Sequence, residues 1–421
     1  MTVKLNPTGG EVWRRIYEGP DGKADVPAAI AVDEAGNAYV TGYITYTNNL
    51  TDWVTMKHTF GTGLPLWTII RQGEGGGNDY TTGIALGTGA SPDVFVTGYS
   101  ARQYLDDYAT VKYNNSGVEQ WASFYNYSGN GPDQATAIAV DGSGDVYVTG
   151  KSATAPPPSG FNQYATVKYN GSTGAQSWVA RYTGQGSHNV ATAIALGGSN
   201  VYVTGNSKRS AGDDDYATIA YAASSGSQQW ATRYNGPAGK ADDAVAVAVN
   251  DDGKAFVTGT SVDASDKGNY LTLRYSDAGV EEWAATYNGD YDNDEAAKSL
   301  AIDSQDNVIV LGNSYGSSNY DFLTVKYDGT AGIAERDGAI PARPSLRLTP
   351  NPARNWTSVE FAAAGTAPTT ISLLGVDGRI VRTLQASGTT RLDLAGLTPG
   401  VYIVRLVSGS LSATQRLVIG Q

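Results

Sequence analysis

Six strand-like segments of this 421-residue chain end in Val-Thr-Gly or a close variant, with glycines at Gly42, Gly98, Gly150, Gly205, Gly259 and Gly312, spaced 56, 52, 55, 54 and 53 residues apart. Self-similarity at a fixed period in this range marks an array whose units cover their apolar faces only by stacking on one another. The period therefore sets the architecture before local propensity is weighed. It names no ligand.

Composition narrows the class. The 52 glycines and 27 tyrosines against two methionines favour short strands joined by tight turns, because Gly supplies positive φ and Tyr suits a pleated, half-buried surface. A net charge of −12 repels phosphate backbones and anionic membranes, which argues against nucleic acid as a partner. With no cysteine, disulfides, thiolate catalysis and Cys-based zinc sites are excluded together. No run of 18 apolar residues occurs, so a membrane-spanning helix is not expected.

Aligned on the glycine, each unit holds four strand-like segments. The first is short and apolar on both faces, as in Ala137-Ile138-Ala139-Val140 or Ala193-Ile194-Ala195-Leu196. Small residues alternating with large ones suit the crowded axis of a ring, which places this strand innermost. A turn such as Asp141-Gly142-Ser143-Gly144-Asp145 leads into the Val-Thr-Gly strand. The third segment, fullest as Tyr108-Ala109-Thr110-Val111-Lys112-Tyr113, carries Thr55, Thr110, Thr166, Thr218, Thr272 and Thr324 at one position. Its alternation predicts one face toward solvent. The fourth holds Trp13, Trp67, Trp121, Trp178, Trp230 and Trp283, one per unit. Four antiparallel strands repeated radially make a β-propeller blade, whereas solenoid coils repeat over about 20 to 29 residues.

The run 133–150, Asp-Gln-Ala-Thr-Ala-Ile-Ala-Val-Asp-Gly-Ser-Gly-Asp-Val-Tyr-Val-Thr-Gly, resembles the SBBP, or seven-bladed, β-propeller repeat family of extracellular bacterial proteins. The likeness recurs in every unit over residues 1–330. It implies a propeller fold and a surface role, and it brings no shared catalytic residues.

After Tyr327 the period stops. Residues 331–345 read as a linker, and 346–421 as a small Ig-like β-sandwich of about seven short strands. The opening Pro350-Asn351-Pro352, the Asp377-Gly378 turn, the stretch Leu397-Thr398-Pro399-Gly400-Val401-Tyr402 and the terminal Arg416-Leu417-Val418-Ile419 are together similar to the C-terminal sorting domain of the type IX (Por) secretion system of Bacteroidetes. That resemblance implies export across the outer membrane by the type IX machinery through residues 346–421, then release or surface attachment.

One acidic or amide residue precedes every innermost strand: Asp25, Asp79, Asp133, Asn189, Asp242 and Glu295. In a propeller these would ring one mouth of the central channel and could hold a cation. Recurrence in every unit favours the plainer reading, a turn cap whose oxygen serves backbone N–H groups. A functional site should instead break the symmetry. Asp290, Asp292 and Asp294 have a D-x-D-x-D spacing that could wrap Ca²⁺ as a cofactor, without the Gly and distal Glu of an EF-hand loop. His188, beside Asn189 at the same rim, is a candidate base with no Ser or Asp partner at a recognisable spacing. His58 stands where other units have Tyr and is expected to pack.

Two classes of function fit. A secreted or cell-surface propeller without catalysis would bind a glycan or protein through loops on one face. An extracellular lyase or hydrolase acting on a polysaccharide would concentrate unusual polar residues from several blades near the channel. No such concentration is visible, so a binding or scaffold role is expected. The segment 1–6 aligns with a third strand, and third strands number seven against six of each other kind. This predicts either seven blades, with two further strands and a signal peptide encoded upstream, or a six-blade ring closed by the Trp13 strand.

Overall fold

Each repeat folds into an antiparallel sheet whose strands follow chain order, and blade 3 shows the plan: Asp133–Val140, Val146–Ala153, Asn162–Tyr169 and Gln176–Tyr182. Blades 1, 2, 4 and 5 are also four-stranded and begin with Val26–Val32, Asp79–Leu86, Asn189–Gly197 and Asp242–Val249. Blade 6 has three strands, Glu295–Ile302, Val308–Tyr315 and Tyr320–Tyr327, and a hairpin of Thr2–Leu5 with Glu11–Arg15 precedes blade 1. This computed structural model describes the chain apart from residues 103–104, 129–130, 210–211, 290–292, 317–318, 330–345, 362–368, 376–378, 387, 409–410 and 421. Among the described residues every regular element is a strand. The chain divides into two units, Met1–Ile333 and Ala334–Gln421.

First strands of consecutive blades touch one another, so they lie nearest the axis. Every first strand has a bulge opposite the repeat glycine, where Ala135 pairs with Gly150 and Ala137 with Thr149, leaving Thr136 extra. The bulge brings a first-strand carbonyl onto the glycine. A Cβ on Gly150 would strike Gln134 O and lie 2.8 Å from Tyr108 OH of the preceding blade; on Gly259 it would strike Asp243 O and lie 2.5 Å from Tyr216 OH. The glycine of Val-Thr-Gly is thus kept for close approach rather than for a turn.

Blades stack front on back. The front of blade 2 (Phe95, Tyr108, Tyr125) meets the back of blade 3 (Val146, Val148, Ala165, Val167) in one core, and the same positions recur between blades 3 and 4 and between 4 and 5. The fourth-strand tryptophan of each of blades 1 to 5 joins two blades. The Trp121 ring covers Gly174, whose φ is 73°, and its Nε1 donates to Gly171 O at 3.1 Å. Trp178 does the same over Gly226 to Ala223 O, and Trp230 over Gly279 to Asp277 O.

Third strands of blades 1 to 5 are buried on both faces, not on one, whereas that of blade 6 is largely exposed. Thr110, Thr166, Thr218 and Thr272 have no solvent exposure. Alternation of Thr and Lys with apolar residues suggests a wet face, yet each threonine hydroxyl is satisfied by a threonine on the second strand, as in Thr149–Thr166 at 3.0 Å, and so can be covered by the next blade. The strand Glu11–Arg15 pairs with Thr2–Leu5, and blade 6 has three strands among the described residues, so closure of six blades through the Trp13 strand is not the arrangement found. Phe322 is 91 % exposed, whereas its counterparts Tyr108, Tyr164, Tyr216 and Tyr270 are fully covered by a following blade.

In the second unit, Arg347–Thr349, Trp356–Glu360 and Thr390–Asp393 form one sheet, and Ile380–Ala386, Thr369–Leu374, Gly400–Ser408 and Leu411–Ile419 the other. Val359 and Leu392 from the first meet Ile371, Leu373, Val404, Leu406 and Leu417 from the second in a shared core. Asn351 fastens the last strand, its amide donating to Arg416 O at 2.7 Å and its oxygen accepting from Val418 N at 2.9 Å. Tyr402 OH donates to Thr398 O at 2.9 Å. Gly378 and residues 331–345 lie outside the described residues.

Two stability measurements check this account. Gly259→Ala should cost about 2 to 3 kcal/mol through overpacking, while Gly142→Ala, where a Cβ meets nothing within 4 Å, should stay within about 0.5 kcal/mol. Urea unfolding of the two variants decides it, and equal effects would refute the close-approach argument. Trp121→Ala should cost about 3 kcal/mol, and Trp121→Phe, which keeps a ring and loses the hydrogen bond, about 1 kcal/mol.

Candidate functional site

The bulge also fixes what sits at the start of each first strand. Asp79, Asp133, Asn189, Asp242 and Glu295 are at most 1 % exposed, and Asp25 is half-buried. They do not line an open mouth. Asp25, Asp79, Asp133 and Asp242 each accept from a backbone N–H six residues earlier: Gly19 at 2.6 Å, Gly73 at 2.7 Å, Tyr127 at 2.9 Å and Gly236 at 2.6 Å. In blades 2 to 6 a serine stands two residues after the repeat glycine, where blade 1 has Ile44. Ser207 donates to Asn189 Oδ1 at 2.6 Å and Ser314 to Glu295 Oε1 at 3.1 Å. Burial raises the pKa of Asp79, Asp133 and Asp242, and their serine and backbone donors only partly offset it.

The residue next to each carboxylate behaves differently. It pairs across the sheet with the residue after the repeat glycine, giving Val26 with Tyr43, Tyr80 with Tyr99, Gln134 with Lys151, Val190 with Asn206, Asp243 with Thr260 and Ala296 with Asn313. Val26 is exposed and the other eleven are half-buried, and no two pairs are alike. Where the caps repeat, this inner rim varies.

Two groups on the rim stand out. In blades 1 and 2, Tyr43 meets Tyr80 edge to face with centroids 4.8 Å apart at 82°, and Tyr80 meets Tyr99 at 5.2 Å and 38°. Beside them Gln134 Nε2 donates to Asp106 Oδ2 at 2.5 Å. Burial, then the nearby Asp106, raises the Tyr99 pKa. In blades 4 and 5, exposed His188 lies with Nδ1 3.2 Å from Asp214 Oδ2. Asp243 is pushed up by burial and by Asp214, with His188 opposing.

Of the Ca²⁺ candidates, Asp290 and Asp292 lie outside the described residues, while Asp294 Oδ1 accepts from Gly268 N at 3.1 Å between blades. No group of three His, Asp or Glu side chains is placed to hold a metal among the described residues. His58 is buried with Nδ1 3.0 Å from Gly63 O, and burial lowers its pKa. Sequence reasoning flagged the repeated positions and passed over Tyr43, Tyr80, Tyr99, Asp106 and Gln134. The available signal was disagreement between units one residue beyond the repeated carboxylate and glycine.

Residues 347–420 match the family model described as secretion system C-terminal sorting domain, and residues 12–50 match beta-propeller repeat. No curated protein matches the chain. The chain thus carries SBBP propeller repeats followed by a Por sorting domain, a tail that implies type IX export and marks the protein for secretion and the cell surface or outer membrane. No described helix is long and apolar enough to cross a membrane.

The buried acids make the pH dependence of stability unusual. Asp107, 4 % exposed and 3.8 Å from Arg102 Nη1, is raised by burial to about 6. A carboxyl with a folded pKa above its unfolded value of 3.8 favours the folded state when protonated, so its contribution falls as pH rises from about 4 through about 6. Asp79, Asp133 and Asp242 act with the same sign. Carboxylates shifted down, Asp33, Asp141, Asp263 and Asp303, lose their contribution only below the ordinary Asp range. These acids should therefore raise the urea midpoint at pH 5 relative to pH 7, against the opposite contribution of His58, and Asp107→Asn should shift the pH 5 to pH 7 difference toward lower values; an unchanged difference would refute the assignment.

Proposed function

We propose that this chain is an extracellular, non-enzymatic binding module. The propeller holds the ligand at its variable inner rim, and the C-terminal unit serves as the export address. The observation that carries this reading is the division of labour at the starts of the first strands. The repeated carboxylates Asp79, Asp133 and Asp242 are buried and each accepts from a backbone N–H of the entering loop, whereas the neighbouring residues, half-buried except for exposed Val26, differ in every blade. Architecture accounts for what repeats; the residues that differ are free to serve recognition.

The same division speaks against catalysis. Asp79, Asp133 and Asp242 have the raised proton affinity of a general acid, yet none is more than 1 % exposed. A group that cannot reach within about 3 Å of a substrate proton cannot transfer it. Asp107 is also buried, at 4 % exposed, and lies beside Arg102.

Two measurements test the proposal. Removing residues 346–421 in a host with type IX secretion should leave the propeller in the periplasm, and normal export of the shortened chain would overturn the address. The exported chain, applied to arrays of glycans and surface proteins, should retain a partner without altering it. Release of shortened or unsaturated products from a polysaccharide would show an enzyme instead.

A further inference from the structure

Tyr43, Tyr80 and Tyr99 are not required by the fold. At the positions of Tyr43 and Tyr99 the other blades carry Lys151, Asn206, Thr260 and Asn313, and at that of Tyr80 they carry Val26, Gln134, Val190, Asp243 and Ala296, with the same sheet pairing throughout. Three aromatic rings have nonetheless been gathered on one stretch of the rim, with neighbouring centroids 4.8 and 5.2 Å apart. Their hydroxyls make no hydrogen bond to protein among the described residues, although buried tyrosines elsewhere donate across blades, as Tyr108 does to Ala165 O at 3.1 Å. Each ring is half-buried, held by the sheet and still reachable. At the edge of the strip stand a carboxylate and an amide, Asp106 and Gln134, joined at 2.5 Å.

We propose that Tyr43, Tyr80 and Tyr99, with Asp106 and Gln134, form a subsite for a neutral saccharide. The proposal rests on the binding-module reading and gives it a ligand class. Fixed tyrosines offer an apolar face at small entropic cost and a hydroxyl at the rim, which suits the C–H face and equatorial hydroxyls of a pyranose. Asp106 accepts from sugar hydroxyls, and Gln134 can both donate and accept. Charge bears on the choice among sugars: Asp106, Asp107 and Asp133 outnumber Arg102 here on a chain of net charge −12, so uronic acids and sulfated sugars are disfavoured. An organic cation is disfavoured by spacing. Neighbouring rings about 5 Å apart leave no room for an ammonium group between them.

Affinity electrophoresis of the full chain through gels containing mixed-linkage β-glucan, xylan, galactomannan, alginate or polygalacturonate tests the proposal. At least one neutral polymer should retard the wild-type chain, and the two acidic polymers should not. Tyr80→Val and Tyr99→Val should weaken retardation at least tenfold, Tyr80→Phe a few-fold, and Gln229→Ala, exposed on the fourth strand of blade 4, not at all. Nitration of Tyr80 and Tyr99 in the wild-type chain, followed by peptide mass spectrometry, should be slowed by the retarding polymer. This readout stands even where a Val variant does not fold. Retardation that survives both Val substitutions, or nitration unaffected by polymer, would overturn the subsite and leave the module reading intact. Retardation by acidic polymers alone, or by no polymer while the arrays identify a protein partner, would overturn the saccharide assignment and support the wider reading. Failure of both gels and arrays would remove the two together.

Discussion

The propeller depends on one backbone irregularity, the bulge in each first strand opposite the repeat glycine. It occurs in all six blades. One extra residue shifts the facing of everything on either side of it. Before the bulge, the strand turns a carboxylate inward to cap the approaching loop; after it, small and large apolar residues run along the axis. The extra residue itself becomes a tie between blades where it is threonine: Thr82 donates to Ala135 O at 3.0 Å, Thr136 to Ala191 O at 2.7 Å and Thr192 to Ala244 O at 2.9 Å. Gly in the facing strand is the condition for this geometry, because a Cβ would collide with the displaced carbonyl.

Packing outside the axis follows from the same repetition. Each blade offers aromatic rings on its front and branched aliphatic residues on its back, so one type of interface serves the whole array. The tryptophan at the periphery closes it by covering a left-handed glycine in the next blade's turn and donating to a carbonyl there. Burial on both faces is tolerated by the third strand because its threonines are paired rather than wetted. In blade 6, Leu311 takes the place of the second-strand threonine and is 44 % exposed, so this face is uncovered among the described residues.

How much of this could be read from residues alone depended on whether a feature repeats. The period, the strand order and the place of the tryptophans were legible because each is stated six times. The sorting unit was legible through separated motifs, and the structure gives Asn351 and Tyr402 fastening roles within it. Facing was not legible in the third strand, since a Thr-Lys alternation looks the same whether its hydroxyls meet water or other threonines. Nor was the rim. Tyr80 and Gln134 stand one residue beyond a repeated carboxylate, and alignment on the common letters draws attention away from the letters that differ. Whether His188 faces a partner was decided by Asp214, 26 residues further on and brought to it by the loop joining two strands.

A uniform front-on-back interface also bears on how such an array changes over generations. When every junction uses the same pair of faces, duplicating or deleting a stretch of DNA that encodes one blade leaves the remaining junctions unaltered, because any front fits any back. Recombination between repeats that share these faces would yield chains of different blade number with the same kind of junction, and point mutation can act on the rim of one copy while the bulge and glycine of that copy hold its place. Tyr80 and its neighbours lie in such a copy, differing from the other blades where recognition would act and agreeing with them where packing does.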